Sequence, residues 1–263
     1  MKPTTALLIS TYNWTEALTV VLTSVLKQTI LVDEILIADD GSLSETKLII
    51  EEFKKLSSVP IIHFWQEDKG FRKSKILNKA IIGSNVDYII QVDGDCILHP
   101  KFVEDHVASL EKGIYLYGSR VNILPNFVSK VLKQKITYFT IFSKEIKNKT
   151  RTIHFRFLAN FSKSHYSISS KFRGCNVSFW KSDFIAVNGY NEDYEGWGRE
   201  DSDLVIRMGN NGIKAKRLKY TGIVYHIYHK INSKHNFELN DKMQNQTIEN
   251  KVTFIKNGVD KYI

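Results

Sequence analysis

Apolar residues recur along the first half of the chain in two alternating rhythms. Short unbroken runs occur at Thr5-Ala6-Leu7-Leu8-Ile9-Ser10, Glu34-Ile35-Leu36-Ile37-Ala38, Ile61–Trp65 and Tyr88-Ile89-Ile90-Gln91-Val92, and they have the length and composition of buried strands. Between the first two, Ala17, Leu18, Val21, Leu22 and Val25 fall at helical spacing. Helices are expected to about Leu56, over 73–84 and over 102–112, and a single strand over 114–120. Asn13 with Glu16, and Ser42 with Glu45, fit side-chain caps for the first two helices. Further on, the pattern predicts a helix over 201–209, a strand over 222–226 and a polar helical tail from Glu238.

Strands alternating with such helices predict an α/β fold with a mostly parallel sheet and right-handed crossovers. Ligands in such sheets sit beyond the carboxyl ends of the strands. Three of the predicted strands deliver polar residues there: Ser10-Thr11, Asp39-Asp40 and Asp93-Gly94-Asp95. Residues i and i+2 of an extended segment share a side, so Asp93 and Asp95 can face one cation or one polyphosphate, with Gly94 leaving room for the ligand. Taken alone, the pair reads first as a strand followed by an acidic turn. The chain has neither G-x-G-x-x-G after its first strand nor G-x-x-x-x-G-K-[ST]. Phosphate must therefore be held in another way, and a metal on Asp93 and Asp95 would do it.

Residues 121–173 break the alternation. Of the net charge of +9, residues 127–173 contribute eleven Lys/Arg against the single acid Glu145, or +10, which leaves about −1 for the rest of the chain. Phe127, Tyr138, Phe139, Phe142, Phe155, Phe157, Phe161 and Tyr166 are interleaved with these cations. Two readings stand side by side: an amphipathic excursion that contacts an anionic membrane or a lipid-linked acceptor, and a solvated basic face over an ordinary aromatic core. Nucleic acid is not expected, because no RNA- or DNA-binding signature accompanies the composition. No apolar run reaches the roughly 18 residues of a membrane span, the start is too short for a signal peptide, and the two cysteines Cys96 and Cys175 form no spacing motif. A cytoplasmic protein, peripheral on the inner face of the cytoplasmic membrane if the first reading holds, is the expectation.

The segment Glu195-Gly196-Trp197-Gly198-Arg199-Glu200-Asp201-Ser202-Asp203-Leu204 precedes and opens the late helix. Acids at a helix start are stabilised by the dipole. That accounts for the carboxylates but not for a tryptophan between two glycines, which suits a sugar platform better than a core. His226, at a strand end, reads as structural or as a ligand.

In order along the chain, Thr11-Tyr12-Asn13, Asp39-Asp40-Gly41-Ser42 and Asp93-Gly94-Asp95 resemble the landmarks of family 2 glycosyltransferases with the GT-A fold. Gly196-Trp197-Gly198-Arg199-Glu200-Asp201-Ser202-Asp203 resembles the G-W-G-x-E-D-x-D element of β-1,4-galactosyltransferases and bacterial chondroitin-type polymerases, and Val224-Tyr225-His226 resembles their metal-binding histidine segment. The resemblance covers about 4–120 and 172–230. It implies an inverting, metal-dependent transferase that moves a hexose or N-acetylhexosamine, galactosyl-type favoured, from a UDP-sugar to a saccharide acceptor of bacterial surface polysaccharide or lipopolysaccharide synthesis. It further implies that Ser10, Thr11, Tyr12, Asn13, Asp39, Asp40, Arg72 and Asp93 surround the nucleotide. Asp93, Asp95 and His226 would hold Mn²⁺ or Mg²⁺, with Mn²⁺ favoured by the imidazole. Trp197, Gly198 and Glu200 would hold the acceptor, and Asp201 would be the catalytic base. The methionine ligand of the animal galactosyltransferases is missing before His226, and His229 is a substitute ligand or a phosphate contact. The chain then divides into a nucleotide-sugar half (1–120), the basic aromatic excursion (121–173) and an acceptor half of the same domain (174–263). Two rivals remain: a metal-dependent nucleotidyltransferase or phosphohydrolase, and a non-catalytic basic membrane- or nucleic-acid-binding module.

Overall fold

The structure, a computed structural model, describes residues 2–159, 161–166, 169, 171–230 and 236–263. Residues 160, 167, 168 and 170 of the expected excursion lie outside the described residues. The elements run β1 (Thr5–Thr11), α1 (Thr15–Val25), β2 (Glu34–Asp39), α2 (Ser44–Leu56), β3 (Ile61–Trp65), α3 (Lys73–Ile82), β4 (Tyr88–Asp93), β5 (Cys96–Leu98), α4 (Phe102–Ser109), β6 (Ile114–Tyr117) and β7 (Ser119–Ile123). They continue with α5 (Val128–Lys133), β8 (Ile146–Lys147), α6 (Arg156–Ala159), β9 (Ser164–His165), β10 (Asn176–Trp180), α7 (Lys181–Ala186), α8 (Glu200–Asn210), β11 (Lys214–Arg217), β12 (Ile223–His226) and α9 (Phe237–Glu249).

Among the described residues the main sheet has eight strands in the order β3-β2-β1-β4-β10-β6-β11-β9. The β3-β2-β1-β4 block and the β6-β11 pair are parallel, while β10 runs antiparallel to both of its neighbours. The reversal is functional in its consequence: the start of β10 meets the carboxyl end of β4, so residues 173–175 arrive at the edge where ligands are expected. Alternate side chains of the central strands feed two cores. Leu7, Ile9, Ile35, Ile37, Ile90 and Val92 pack with Ala17, Leu18, Val21 and Leu22 of α1, while Ala6, Leu8, Leu36, Ala38 and Ile89 pack with Ile76, Leu77, Ala80 and Ile81 of α3 and Leu204 and Met208 of α8. Each fully buried Leu or Ile contributes about 1.5–3 kcal/mol, which fixes strand order and hence the level at which the strand ends stop.

Three local expectations are corrected. The strand expected over 114–120 is two strands, divided at Gly118, with β6 in the main sheet and β7 in a second sheet of order β5-β12-β7-β8. A Cβ at Gly118 would overlap the Gly222 carbonyl and the Asn176 side chain, so the crossing between sheets requires a glycine. Neither expected helix cap forms: α1 and α2 begin after Trp14 and Leu43 without side-chain caps. Instead the Asn13 N–H donates to Ser42 Oγ (2.8 Å) and Asn13 Oδ1 accepts from the Leu43 N–H (2.8 Å), so the capping side chains tie the loops after β1 and β2 together. The basic segment is not wholly an excursion, since Val131, Phe139 and Ile146 are buried in the first core. Phe142, Phe155, Phe157 and Phe161 stay exposed. No helix among the described residues is long and apolar enough to cross a membrane.

Candidate active site

Register sets the floor of the site. Thr11 lies beside Asp39 across β1–β2, and Ser10 beside Asp93 across β1–β4, so three strands end level. Above them opens a cleft of about 730 Å³, lined from the first half by Ser10, Thr11, Tyr12, Asp40, Lys73, Asp93, Gly94 and Asp95, and from the second by Arg173, Gly174, Trp197, Glu200, Asp201 and His229. Residues more than 100 positions apart therefore face one space.

At its centre is a cation that the sequence reading missed. Lys73 Nζ, at the start of α3, lies 2.8 Å from Asp93 Oδ1, which also accepts from Ser10 Oγ (2.8 Å). Burial works against the Lys73 charge, but Asp93, Asp201 and Glu200 outweigh it and hold the ammonium well above its ordinary pKa. In return, burial that would raise the Asp93 carboxyl is overcome by Lys73, and Asp93 titrates below its usual value. A lysine at the first position of a helix after Gly70-Phe71-Arg72 carries no periodic signal, and only the fold turns it towards Asp93.

Asp95 sits between two imidazoles: His226 Nε2 is 3.5 Å and His229 Nε2 3.1 Å from its Oδ2. The β5–β12 register, which sets His226 opposite Cys96, brings them together. The hydrogen bond to Asp95 raises the His229 pKa to about 9, whereas burial lowers that of His226. The ligand atoms of Asp95, Cys96 and His226 all lie within 4.8 Å of one another. Burial and the neighbouring Cys175 push the Cys96 thiol well above its ordinary pKa. Gly94 has a reason the sequence did not disclose. Its N–H donates to the Ser10 carbonyl (2.7 Å), and a Cβ there would come within 2.8 Å of that same oxygen.

The acids that open α8 divide by face. Asp203 is fully buried and structural: Arg207 Nε (2.8 Å), Thr247 Oγ1 (2.7 Å) and the Tyr194 hydroxyl (3.2 Å) donate to it. Glu200 and Asp201 face the cleft. Burial, reinforced by Asp201, raises the Glu200 pKa to about 7. Burial also raises that of Asp201, with Lys73 opposing, and the Tyr190 hydroxyl lies 3.5 Å from its Oδ1. A Cβ on Gly174 would overlap the Asp201 carboxylate, so the acid occupies the space a side chain at 174 would need.

The loop before α8 is held from above. Gly196 and Gly198 take φ of 75° and 105°, and Arg199 takes φ of 81°. Asn240 Nδ2 of α9 donates to the Glu195 (3.1 Å) and Gly198 (3.0 Å) carbonyls, and Trp197 stacks on Phe237 with centroids 6.0 Å apart.

Of the residues expected at the nucleotide, Asp40 lines the cleft, with its carboxylate accepting from Gln66 Nε2 (2.6 Å) and the Arg72 N–H (2.7 Å) and its pKa raised by burial. Tyr12 lines it as well and donates to Asp68 (2.8 Å). Asp39 does not line it: 1% exposed, it accepts from the Ser42 N–H (2.8 Å) and pairs with His63 Nε2 (3.0 Å). Asn13 is spent on the loop tie described above. The Arg72 guanidinium reaches the Glu67 carbonyl and lines a separate cavity of about 250 Å³ with Glu192 and Glu195. Gly198 and His226 stand behind the lining residues rather than among them.

Comparison with known proteins fits this geometry. The profile of glycosyl transferase family 2 matches residues 6–168, more than half of the chain. The chain belongs to glycosyl transferase family 2. A second profile, the N-terminal domain of galactosyltransferase, matches residues 155–230, so the family likeness runs through the basic segment that the motifs left unmatched. The chain is 25% identical over 224 residues to the chondroitin synthase of Escherichia coli, which covers 79% of this chain and 32% of the synthase. Among solved structures, S. aureus TarS superposes with a TM-score of 0.62 at 16% identity, over 94% of this chain and 40% of that one. GalNAc-T7 with UDP, GalNAc and Mn²⁺ superposes with a TM-score of 0.63 at 17% identity, over 86% and 44%. The fold is that of GT-A glycosyltransferases. The chain spans about a third of the length of that curated synthase.

Proposed function

We propose that the chain is an inverting glycosyltransferase that moves a hexose or N-acetylhexosamine, galactosyl-type favoured, from a UDP-sugar to a saccharide acceptor in the building of a bacterial surface polysaccharide or lipopolysaccharide. The observation that carries this reading is the meeting of Asp93, Asp95, Glu200 and Asp201 around one cleft with Lys73 between them. In this reading residues 1–120 hold the donor nucleotide and 174–263 the acceptor.

The donor set suits a divalent cation on Asp93, Asp95 and His226: ligand atoms of Asp95 and His226 converge, and Asp93 lines the same cleft beside Asp95. Mn²⁺ is favoured over Mg²⁺ by the imidazole. Bound there, the ion would supply charge neutralisation for the departing diphosphate. The chain's own residues do the rest. Lys73, Arg120, Arg173 and His229 add positive charge to the same cleft. Ser10, Thr11, Tyr12 and Asp40 border the nucleoside side. Glu200 holds the acceptor, with Trp197 as its platform. Asp201 takes the proton of the attacking hydroxyl at its carboxylate oxygen, and its raised pKa suits that task. A single base on the side opposite the leaving group gives inversion.

A panel of UDP-sugars assayed for Mn²⁺-dependent transfer or hydrolysis tests the donor. In the same assay Asp201→Asn is expected to keep UDP affinity and lose about 10²–10⁴-fold in turnover. Near-normal turnover of that variant would remove Asp201 from the base role, and nucleotide cleavage without sugar transfer would favour a phosphohydrolase.

A further inference from the structure

Phe155, Phe157 and Phe161 are 50%, 66% and 69% exposed. Their rings touch one another, Phe155–Phe157 at 6.5 Å and Phe157–Phe161 at 5.6 Å, and Leu158 and Ile153 extend the apolar surface. The segment is fastened to the body of the protein. The Phe155 N–H donates to the Tyr220 carbonyl (2.9 Å), Ser162 Oγ to the Arg217 carbonyl (2.7 Å), and Arg156 pairs with Glu104 (2.8 Å). Aromatic residues are therefore displayed side by side on a tethered segment, and contiguous exposed apolar surface of this kind marks an interaction site.

Position and charge identify the occupant. Arg217 is in register with Tyr117, Tyr117 with Val177, and Val177 lies beside Gln91, two residues before the end of β4. The patch thus borders the same edge of the sheet as the cleft, about three strand spacings or roughly 14 Å along it. Arg151, Arg156 and Lys163 flank the rings in sequence, within a stretch that carries eleven Lys/Arg against one acid, and Lys219 adjoins Tyr220, whose carbonyl accepts from the Phe155 N–H. That acid, Glu145, is already paired with Lys130 (2.7 Å). A second copy of the chain would bring the same excess of positive charge against itself. Aromatic rings that project outward among cations match the interface of an anionic bilayer, where rings sit at the headgroup level and each nearby Lys or Arg adds attraction.

We infer that the surface formed by Phe155, Phe157, Leu158 and Phe161 with its flanking cations docks on an anionic lipid bilayer, setting the cleft mouth beside the headgroups. A lipid-linked acceptor then reaches the cleft without leaving the membrane. The docking itself does not depend on the transferase reading, because it requires neither donor nor acceptor.

Flotation of the whole chain with phosphatidylcholine vesicles, and with vesicles containing about a third phosphatidylglycerol, tests it. Binding is expected to the anionic vesicles only. The exposed double variant Phe157→Ser/Phe161→Ser should weaken it roughly tenfold, and Lys163→Glu roughly fivefold, both with unchanged melting temperature. Equal binding to the two vesicle types, no binding to either, or binding indifferent to the double variant would overturn the inference. So would a concentration-dependent dimer that the double variant dissolves, since the patch would then belong to a second copy.

Discussion

Lys73 Nζ lies 2.8 Å from Asp93 Oδ1, and the same ammonium is held in its charged form by Asp201 and Glu200 from the other half of the chain. One cation thus stands between the carboxylates of the two halves of the chain. Lys73→Met should leave those carboxylates facing one another. A loss of about 2–3 kcal/mol is expected at pH 8, below the full cost of breaking a buried pair because the Asp93 side chain keeps 28% of its exposure. At pH 5 the loss should shrink, since carboxyls without the lysine take up protons. Denaturant titrations at the two pH values check it.

Gly174 and Asp201 share one space. Gly174→Ala should leave the fold intact, displace the Asp201 carboxylate and lower turnover about 10²-fold, the usual result of moving a reacting group by an ångström. UDP affinity, measured by calorimetry, should change little. A variant with wild-type turnover would show that the Asp201 position is not critical.

Asp95 between His226 and His229 leads to a metal prediction. Mn²⁺ at about a hundred times its Kd should stabilise the protein by about 2.7 kcal/mol, read as a rise in melting temperature that EDTA reverses. Asp95→Asn and His226→Ala should abolish the rise. His229→Ala decides whether that residue is a ligand, in which case the rise also disappears, or an anion contact, in which case UDP binding weakens and the rise remains.

Glu200 supplies a pH signature. Its folded pKa of about 7 stands above the ordinary 4.5, so between those values the folded state binds the extra proton. Stability contributed by this group is therefore full below pH 4.5 and falls as pH rises towards 7. Glu200→Gln should remove that slope and make the protein relatively more stable at pH 8. Melting temperatures of the two proteins between pH 4.5 and 8 test the sign.

The parallel block, its helices and the acidic strand ends were legible because each depends on local patterns: unbroken apolar runs, helical spacing, and the two-residue period that puts Asp93 and Asp95 on one side. The Gly-Trp-Gly loop and the acids after it were legible through resemblance. Sequence alone could not rank neighbours that look alike. Asp39 and Asp40 are adjacent acids, yet Asp39 turns inward to His63 and Ser42 while Asp40 lines the cleft. Asp201 and Asp203 share a helix, yet only Asp203 is consumed by Arg207. Lys73, Gly174 and the reason for Gly94 depend on contacts between strands and halves far apart in sequence, set by the reversal of β10 and the level at which β1, β2 and β4 end. Residue chemistry is local, so the sequence determined which groups are available. Which of them meet depends on sheet order and register, and only the tertiary structure decided that.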